Sequence, residues 1–475
     1  MSDLPLVIDL DGTLLLTDSL QESMFAFAAQ SLPGAIATFP ALRNGRASFK
    51  RALADQVTLD VSLLPYNQPL LEWLRSQRKA GRSLILCTGA DQTLAESVAA
   101  HLKLFDRVMG SDGSVNLIGK NKARCLVDCF GERGFDYVGN SVSDLKVWEF
   151  ARSAVVVNAG DSLLNRVKQL CPVSEYFPTT KPDAAIWSRA IRVHQWLKNL
   201  LLFAPLVSAH LIFDGAAWIA ATLGFIAFCL CASSIYIVND LLDLANDRSH
   251  PRKRNRPFAA GHLSHLQGVC LVPLMLISSF WIGSYIGLDF LKWLSIYLVL
   301  TVSYSFLLKS IAVVDVVVLA MLYTLRIIAG ASAIELQLSA WILAFSVFVF
   351  VSLAFVKRYA ELNVNILKGE DKVKGRAYYV SDAPVIQAIG TSSAFCSILV
   401  FVLYLNSPDV AALYASPDII WLCTPVLIYW HSWMWMSAHR GNMHDDPIVF
   451  AVSNRHSLIS GCIFLGILLT GAIRV

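Results

Sequence analysis

The sequence predicts two folds in series: an open α/β domain with a parallel sheet and a helical cap over residues 1–180, then an all-α bundle of about nine membrane-crossing helices over residues 181–475. Three observations carry this prediction. Charged residues crowd into the first part of the chain and a few later loops, although 55% of the 475 residues are hydrophobic and the mean hydropathy is +0.54. Short apolar strands in the first part end on carboxylates, hydroxyls and glycines. Beyond Leu200, apolar runs of bilayer length recur.

Leu4 to Leu10 reads as a buried strand that ends in Asp9-Leu-Asp11-Gly12-Thr13. Side chains two residues apart point the same way from a strand end, so one carboxylate can attack phosphorus while the other handles the proton. Ser83 to Cys87 is a second strand ending in Thr88-Gly89, and Asp136 to Val138 a third, followed by Gly139-Asn140-Ser141-Val142-Ser143-Asp144. Lys122 opens a helical run to Phe130 between them. This order places hydroxyl, lysine and carboxylates at the carboxyl edge of a parallel sheet, where open α/β folds bind ligands. Asp9 is then the nucleophile and Asp11 the acid and base; Thr88 and Lys122 hold phosphoryl oxygens; Asp144 with Asp9 and Asp11 forms a Mg²⁺ site. The four elements together resemble the haloacid dehalogenase superfamily of phosphatases, with Gly139-Asn140 where many members have Gly-Asp. The largely helical stretch from Ser19 to about Leu63 stands where that family inserts a substrate-selecting cap.

Met1-Ser-Asp-Leu-Pro lacks a basic leader, so the sequence predicts no signal peptide and a first domain that stays in the cytosol. Neither the spacing of Cys87, Cys125, Cys129 and Cys171 nor the apolar setting of the other six cysteines suggests zinc or a disulfide framework. A net charge of +4 is too small to imply nucleic-acid binding.

Composition changes at Phe177-Pro178-Thr179-Thr180-Lys181-Pro182, the expected domain boundary. Apolar runs near 197–212, 216–238, 267–288, 291–308, 312–333, 341–358, 385–405, 417–437 and 456–473 are the expected crossings. Alternate loops are basic (Arg248 to Arg256, Lys309, Lys357 to Arg376, Arg440 to Arg455), whereas the others hold Asp214, Asp289, Glu335 and Asp409. This asymmetry puts the basic loops on the cytosolic side.

The second of these runs leads into Asn239-Asp240-Leu-Leu-Asp243-Leu-Ala-Asn-Asp247-Arg248-Ser-His250-Pro251-Arg252-Lys253-Arg254-Asn-Arg256-Pro257. A continuing helix would put Asp240, Asp243 and Asp247 on one face, where oxygen-only ligation suits Mg²⁺. The basic cluster that follows, with Arg248, Lys253 and Arg256, completes a clamp for Mg²⁺-diphosphate. Asp315 and Arg326 share a face of one apolar run, and intramembrane charge points to function. A later loop carries Lys357-Arg358-Tyr359-Ala-Glu361, then Gly375-Arg376-Ala-Tyr378 and Asp382. Lys357, Arg358 and Arg376 are candidate phosphate ligands there, and Glu361 and Asp382 candidates for a second metal. His444-Asp445-Asp446-Pro447 with Arg440 is expected to contact substrate or the soluble domain and has no sharper role.

Asn-Asp-x-x-Asp-x-x-x-Asp resembles the first Asp-rich motif of the UbiA superfamily of intramembrane prenyltransferases. The run on through His250-Pro251-x-Lys253-x-x-Arg256-Pro257 resembles the branch that includes decaprenyl-phosphate phosphoribosyltransferase, as do Arg192-x-x-Gln195-Trp196-x-Lys198-Asn199 and Lys-Arg-Tyr-Ala-Glu. The resemblance implies that Lys198 and Asn199 face a phosphate pocket, and that Asn239, Lys309, Arg326 and Tyr378 contribute to substrate binding. The basic segment departs from the paired aspartates of aromatic prenyltransferases. The expected reaction moves phosphoribose from phosphoribosyl diphosphate to polyprenyl phosphate, with the fused phosphatase removing the 5-phosphate. The alternatives are transfer from a prenyl diphosphate to a small acceptor, and a phosphatase on a lipid-binding anchor.

Overall fold

The computed structural model describes residues 4–112, 114–179, 181–368, 371, 376–408, 410, 414–443 and 446–472. Gly375, Asp409, His444 and Asp445, and Thr180 at the expected boundary, lie outside them. The chain divides into two compact units, residues 1–191 with 236–272, and residues 192–235 with 273–475.

The first unit is built on six strands, β1 (Leu6–Ile8), β2 (Leu84–Asp91), β3 (Arg107–Ser111), β4 (Asp136–Gly139), β5 (Ala154–Ala159) and β6 (Val173–Pro178). They pair in parallel in the order β3-β2-β1-β4-β5-β6, with Val7 in register with both Ile85 and Tyr137. The order reverses at β1, which leaves a crevice at the carboxyl ends of β1 and β4. Strands β1, β2 and β4 are buried on both faces, and β1 and the Leu84–Cys87 part of β2 read as continuous apolar runs without alternation. Between β1 and β2 lie the cap helices α1 (Ser19–Gln30), α2 (Leu32–Thr38) and α3 (Arg46–Ala54), and then α4 (Gln68–Lys79). Helices α5 (Gln92–Leu102), α6 (Lys120–Phe130), α7 (Leu145–Trp148) and α8 (Asp161–Lys168) link the later strands, and α9 (Ala184–Ala190) follows β6.

The second unit is helical. After a 3₁₀ stretch, Val193–Phe203, come α10 (Ala204–Ser208) and α11 (Gly215–Leu242). The last turn of α11 passes into the first unit, as do α12 (Leu244–Ser249) and the first turns of α13 (His265–Ile286). The bundle continues with α14 (Leu288–Phe306), α15 (Val314–Ala333), α16 (Ala340–Lys368), α17 (Ala383–Leu405), α18 (Pro417–Ile420), α19 (Cys423–His439), α20 (Pro447–Ser453) and α21 (Arg455–Ala472). Among the described residues, six helical segments are long and apolar enough to cross a bilayer: Gly215–Leu242, His265–Ile286, Val314–Ala333, Ala340–Ile366, Val380–Leu405 and Arg455–Ala472.

The expected crossing at 197–212 is not a continuous helix but the 3₁₀ stretch and the five residues of α10. Pro205 begins the short helix, and the buried Lys198 and Asn199 are bonded to side chains elsewhere in the bundle. Non-helical backbone of this kind is tolerated where protein surrounds it. The ten cysteines are free.

Candidate active sites

Asp9 stands at the end of β1, where the chain enters a tight turn over Leu10–Leu14. Gly12 there adopts φ +70°, and a Cβ on it would lie 2.1 Å from Asn140 Nδ2, so a side chain would collide with the loop after β4. The Asp9 amide donates to Val138 O (3.0 Å), which fixes the end of β1 against β4. Lys122 Nζ, buried on the first turn of α6, donates to Asp9 Oδ1 (2.6 Å) and to Tyr137 Oη (2.9 Å). Tyr137 in turn donates to Asp144 Oδ1 (2.9 Å). The amides of Asn140 and Ser141 and the Ser141 hydroxyl donate to Asp144 Oδ2 (3.2, 2.9 and 2.7 Å). The structure therefore brings Asp9, Lys122 and Asp144 together, joined by a tyrosine that no local pattern marks.

Asp11 is partly open to the surface, and its carboxylate accepts from the amide of Ser19, the first residue of α1 (2.8 Å). Burial pushes the Asp9 carboxyl up to about 6; Lys122 opposes the rise and Asp144 adds to it. Burial and the neighbouring Asp18 and Asp9 push Asp11 up to about 7. For Lys122 burial disfavours the charge, but Asp9 and Asp144 outweigh it and hold the ammonium above its ordinary range. Thr88 is fully buried, and its hydroxyl accepts from the Ala90 amide (3.0 Å). Lys50, on α3, reaches from the cap to Gly89 O and Asn116 Oδ1 (3.3 Å for the latter). Beside it a cavity of about 260 Å³ lies between cap and sheet, lined by apolar residues such as Leu20, Val57 and Leu94, by Asp55 and Asp91, and by Ser19, Ser23, Thr58, Thr93 and Ser97.

The acidic loop departs from the expected single stripe. Helix α11 stops at Leu242, and Asp243 (φ −98°, ψ 16°) separates it from α12. Buried Asp240 and Asp247 converge on one nitrogen of Arg256, at 3.1 and 2.6 Å; Asp243 is half-buried at the kink and its carbonyl still accepts from the Asp247 amide (2.8 Å). Burial raises the Asp247 carboxyl despite Arg256. Arg256 thus stands on the two carboxylates, and Lys253 is exposed. Arg248, an expected phosphate ligand, is committed elsewhere. Its two terminal nitrogens donate to Glu22 of α1 (2.9 and 2.7 Å), and its Nε to Ala259 O (2.8 Å). Through these bonds Arg248 ties the loop to the cap.

The helical unit carries a second polar network. Asp446, just before α20, accepts from Lys198 (2.9 Å), Lys357 (3.1 Å) and Tyr323 Oη (2.9 Å). Burial would raise its carboxyl, but Lys357 and Lys198 outweigh burial and hold it well below the usual range. Asp315, at the start of α15, pairs with Arg358 (2.7 Å) and Arg376 (3.7 Å) and accepts from Tyr378 Oη (2.5 Å). Arg358 also meets Glu361 and Tyr304 Oη. Arg326, on α15, does not pair with Asp315. Its Nε and one terminal nitrogen donate to Asn199 Oδ1 (2.8 Å) and Tyr297 Oη (2.9 Å), the other terminal nitrogen donates to Leu322 O, and it lies over the rings of Tyr297 and Tyr323. Eleven residues separate Asp315 and Arg326 along the helix, enough to place them in different clusters. Asp382 caps its own helix by accepting from the Tyr379 amide (2.9 Å), and Lys309 offers its carbonyl to Arg376. Glu361 and Asp382 are therefore each engaged locally. Asn239 is half-buried beside Asp240.

Among the described residues no group of three or more His, Cys, Asp or Glu is placed to hold a metal. Two buried all-oxygen pairs, Asp9 with Asp144 and Asp240 with Asp247, have the donor chemistry Mg²⁺ takes when water and substrate phosphate supply its remaining positions.

The UbiA prenyltransferase family model matches residues 200–459, and the haloacid dehalogenase-like hydrolase model matches residues 6–149. The protein y4nM of Sinorhizobium fredii is 38% identical over 464 residues, 97% of this chain and 89% of that one. Nodulation protein NoeC of Azorhizobium caulinodans is 37% identical over 278 residues, 58% and 89% of the two chains. A decaprenyl-phosphate phosphoribosyltransferase of Mycolicibacterium smegmatis is 34% identical over 241 residues, 49% and 75% of the two chains.

Proposed function

Since the chain belongs to the UbiA prenyltransferase family and carries a haloacid dehalogenase-like hydrolase domain ahead of its helical part, we propose that it transfers phosphoribose from phosphoribosyl diphosphate to a polyprenyl phosphate and then removes the 5-phosphate. The boundary between the two activities falls near residue 180. Both chemistries use Mg²⁺, held by Asp240 and Asp247 for transfer and by Asp9 and Asp144 for hydrolysis. The basic loops favour the cytosolic side of the membrane for the soluble part.

The observation that carries this reading is the charge of the helical network. Among the described residues, five cationic side chains, Lys198, Arg326, Lys357, Arg358 and Arg376, stand with three carboxylates, Asp315, Glu361 and Asp446. Among the described residues, the acceptors bonded to buried Arg326 are all neutral. Excess buried positive charge suits a polyanion. Phosphoribosyl transfer brings a lipid phosphate, a diphosphate and a sugar phosphate, a larger anionic load than prenylation of a neutral acceptor. The name of the Mycolicibacterium smegmatis relative supports the same choice.

In the transfer, an oxygen of the polyprenyl phosphate bonds to the anomeric carbon as the carbon–oxygen bond to diphosphate breaks. Asp240 and Asp247 would hold Mg²⁺, which would supply positive charge for the departing diphosphate. Lys198, Lys357, Arg358 and Arg376 orient phosphate oxygens, Arg326 and Asn199 fix one group deeper in the bundle, and Tyr378 keeps Asp315 in place. In the hydrolysis, Asp9 attacks phosphorus as Asp11 gives its proton to the departing sugar oxygen; Asp11 then takes a proton from the water that attacks the same phosphorus, breaking its bond to Asp9 and releasing inorganic phosphate. An acid poised near neutral pH serves both directions. The cavity beside Lys50 is the space between cap and sheet open to the organic part of the phosphate ester.

Purified protein in vesicles, given labelled phosphoribosyl diphosphate and polyprenyl phosphate, is expected to form a labelled glycolipid and release inorganic phosphate. Absence of glycolipid, with prenylated product from a prenyl diphosphate and a small aromatic acceptor, would reverse the assignment. Phosphate release alone would reduce the helical part to an anchor.

A further inference from the structure

We propose that Glu22, a residue of the phosphatase cap, is a positioning residue for the acidic loop of the transferase. Through Arg248 it holds residues 243–256 in the conformation that sets Asp240 and Asp247 on Arg256. The soluble unit is then part of the transferase's working structure rather than a passenger on the same chain.

Glu22 is 2% exposed, and its carboxylate receives both terminal nitrogens of Arg248 in a fork that fixes direction as well as distance. The Thr17 hydroxyl adds a third donor (2.7 Å), and His265 Nε2, on the far side of the loop, lies 3.6 Å from the same carboxylate. Burial works against the charge of Glu22, but Arg248 outweighs it and holds the carboxyl below its ordinary range. The glutamate is itself on a fixed platform. Helix α1 begins where the Ser19 amide meets Asp11, and the Asp18 side chain caps it by accepting from Gln21 (3.0 Å). One helical turn therefore separates the phosphatase's acid from the residue that grips the loop.

On the loop side, Arg248 follows Asp247 directly within α12, and its Nε donates to Ala259 O, so one guanidinium joins both limbs of the loop to the cap. The packing is close as well. Gly261 adopts φ +74°, and a Cβ there would lie 2.8 Å from Leu16 Cβ and 3.4 Å from Pro65 Cβ. The Phe25 and His265 rings meet edge to face at 5.6 Å. Pairing a buried arginine with a glutamate from so distant a part of the sequence leaves both charges costly if either is removed.

The test is hydrogen exchange on the full chain in vesicles, comparing wild type, Glu22→Gln, Glu22→Asp, Arg248→Met and the Glu22→Gln/Arg248→Met double variant. Amides across residues 244–256 are expected to exchange about tenfold faster or more in Glu22→Gln. Glu22→Asp should fall between, and the double variant should be no faster than Arg248→Met alone, because the pair acts as one unit. Strands β1 and β4 should keep their protection. Unchanged exchange in the loop of Glu22→Gln overturns the proposal. If Glu22→Gln loses protection in β1, Glu22→Asp decides, and wild-type exchange in its loop with an intact sheet overturns it equally. The second measurement rests on the proposed transfer reaction: the half-saturating Mg²⁺ concentration is expected to rise about fivefold or more in Glu22→Gln and to recover in part in Glu22→Asp. Faster exchange in the variant, with wild type inert towards phosphoribosyl diphosphate, would remove the assigned substrate and leave the role of Glu22 standing.

Discussion

Replacing Arg326 by methionine separates a functional cation from a structural one. Its side chain is buried, and its acceptors are Asn199 Oδ1 at 2.8 Å, Tyr297 Oη at 2.9 Å and the Leu322 carbonyl, none of them anionic. Removing a buried charge that has no counter-ion among the described residues relieves a desolvation penalty of several kcal/mol, while orphaning the Asn199 acceptor costs about 1–3 kcal/mol; the two nearly offset, and the net change in stability should lie within about 2 kcal/mol. A preorganised donor on a charged reacting group is worth about 2.7–4 kcal/mol, so transfer should fall roughly 10²–10³-fold. Thermal unfolding in detergent and glycolipid formation in vesicles, measured on one preparation, give the two numbers. Transfer within about threefold of wild type in a folded Arg326→Met protein would refute the reasoning, because Arg326 would then touch no reacting phosphate.

Asp9→Asn is expected to abolish phosphate release and leave glycolipid formation within about twofold of wild type, with the phosphorylated glycolipid accumulating; loss of both would contradict two separate sites. The pH dependence of hydrolysis should follow Asp11. Its carboxyl is raised to about 7, so the proton-donating form prevails below that pH, and kcat/KM for phosphate release should fall as pH climbs through it. A profile flat from pH 6 to 8 would exclude Asp11 as the acid. Asp446→Asn leaves Lys198 and Lys357 side by side without their shared carboxylate. Unfolding in detergent should show a loss of about 3–5 kcal/mol, and a neutral effect would mean that solvent reaches the trio.

What could be read from the sequence was what local order determines. Asp9, Lys122 and Asp144 meet because each follows or begins an element whose apolar pattern is unambiguous, and parallel order brings those ends together. Tyr137 escaped notice because, on a strand buried on both faces, an aromatic residue looks like core until its hydroxyl is seen between Lys122 and Asp144. The stripe of Asp240, Asp243 and Asp247 assumed an unbroken helix, but the backbone turns at Asp243, and the tie from Arg248 to Glu22 supplies an energy that no three- or four-residue period encodes. Arg248 shows the same limit. A guanidinium in a basic cluster reads as a phosphate ligand, and nothing local reveals its bond to a carboxylate 226 residues away. Asp446 lies in a loop without periodicity, and nothing local announces that two buried lysines depend on it.

The tie between Arg248 and Glu22 also bears on how the gene could be divided. A polypeptide truncated before residue 181 would keep every membrane helix yet strand a guanidinium whose side chain is only 7% exposed, with no carboxylate to receive it. Supplying the missing piece as a separate polypeptide should restore order to the loop only if the two halves re-dock. Expression of the halves together, or a compensating acidic substitution near Arg248, would be needed to uncouple the fusion without silencing the transferase.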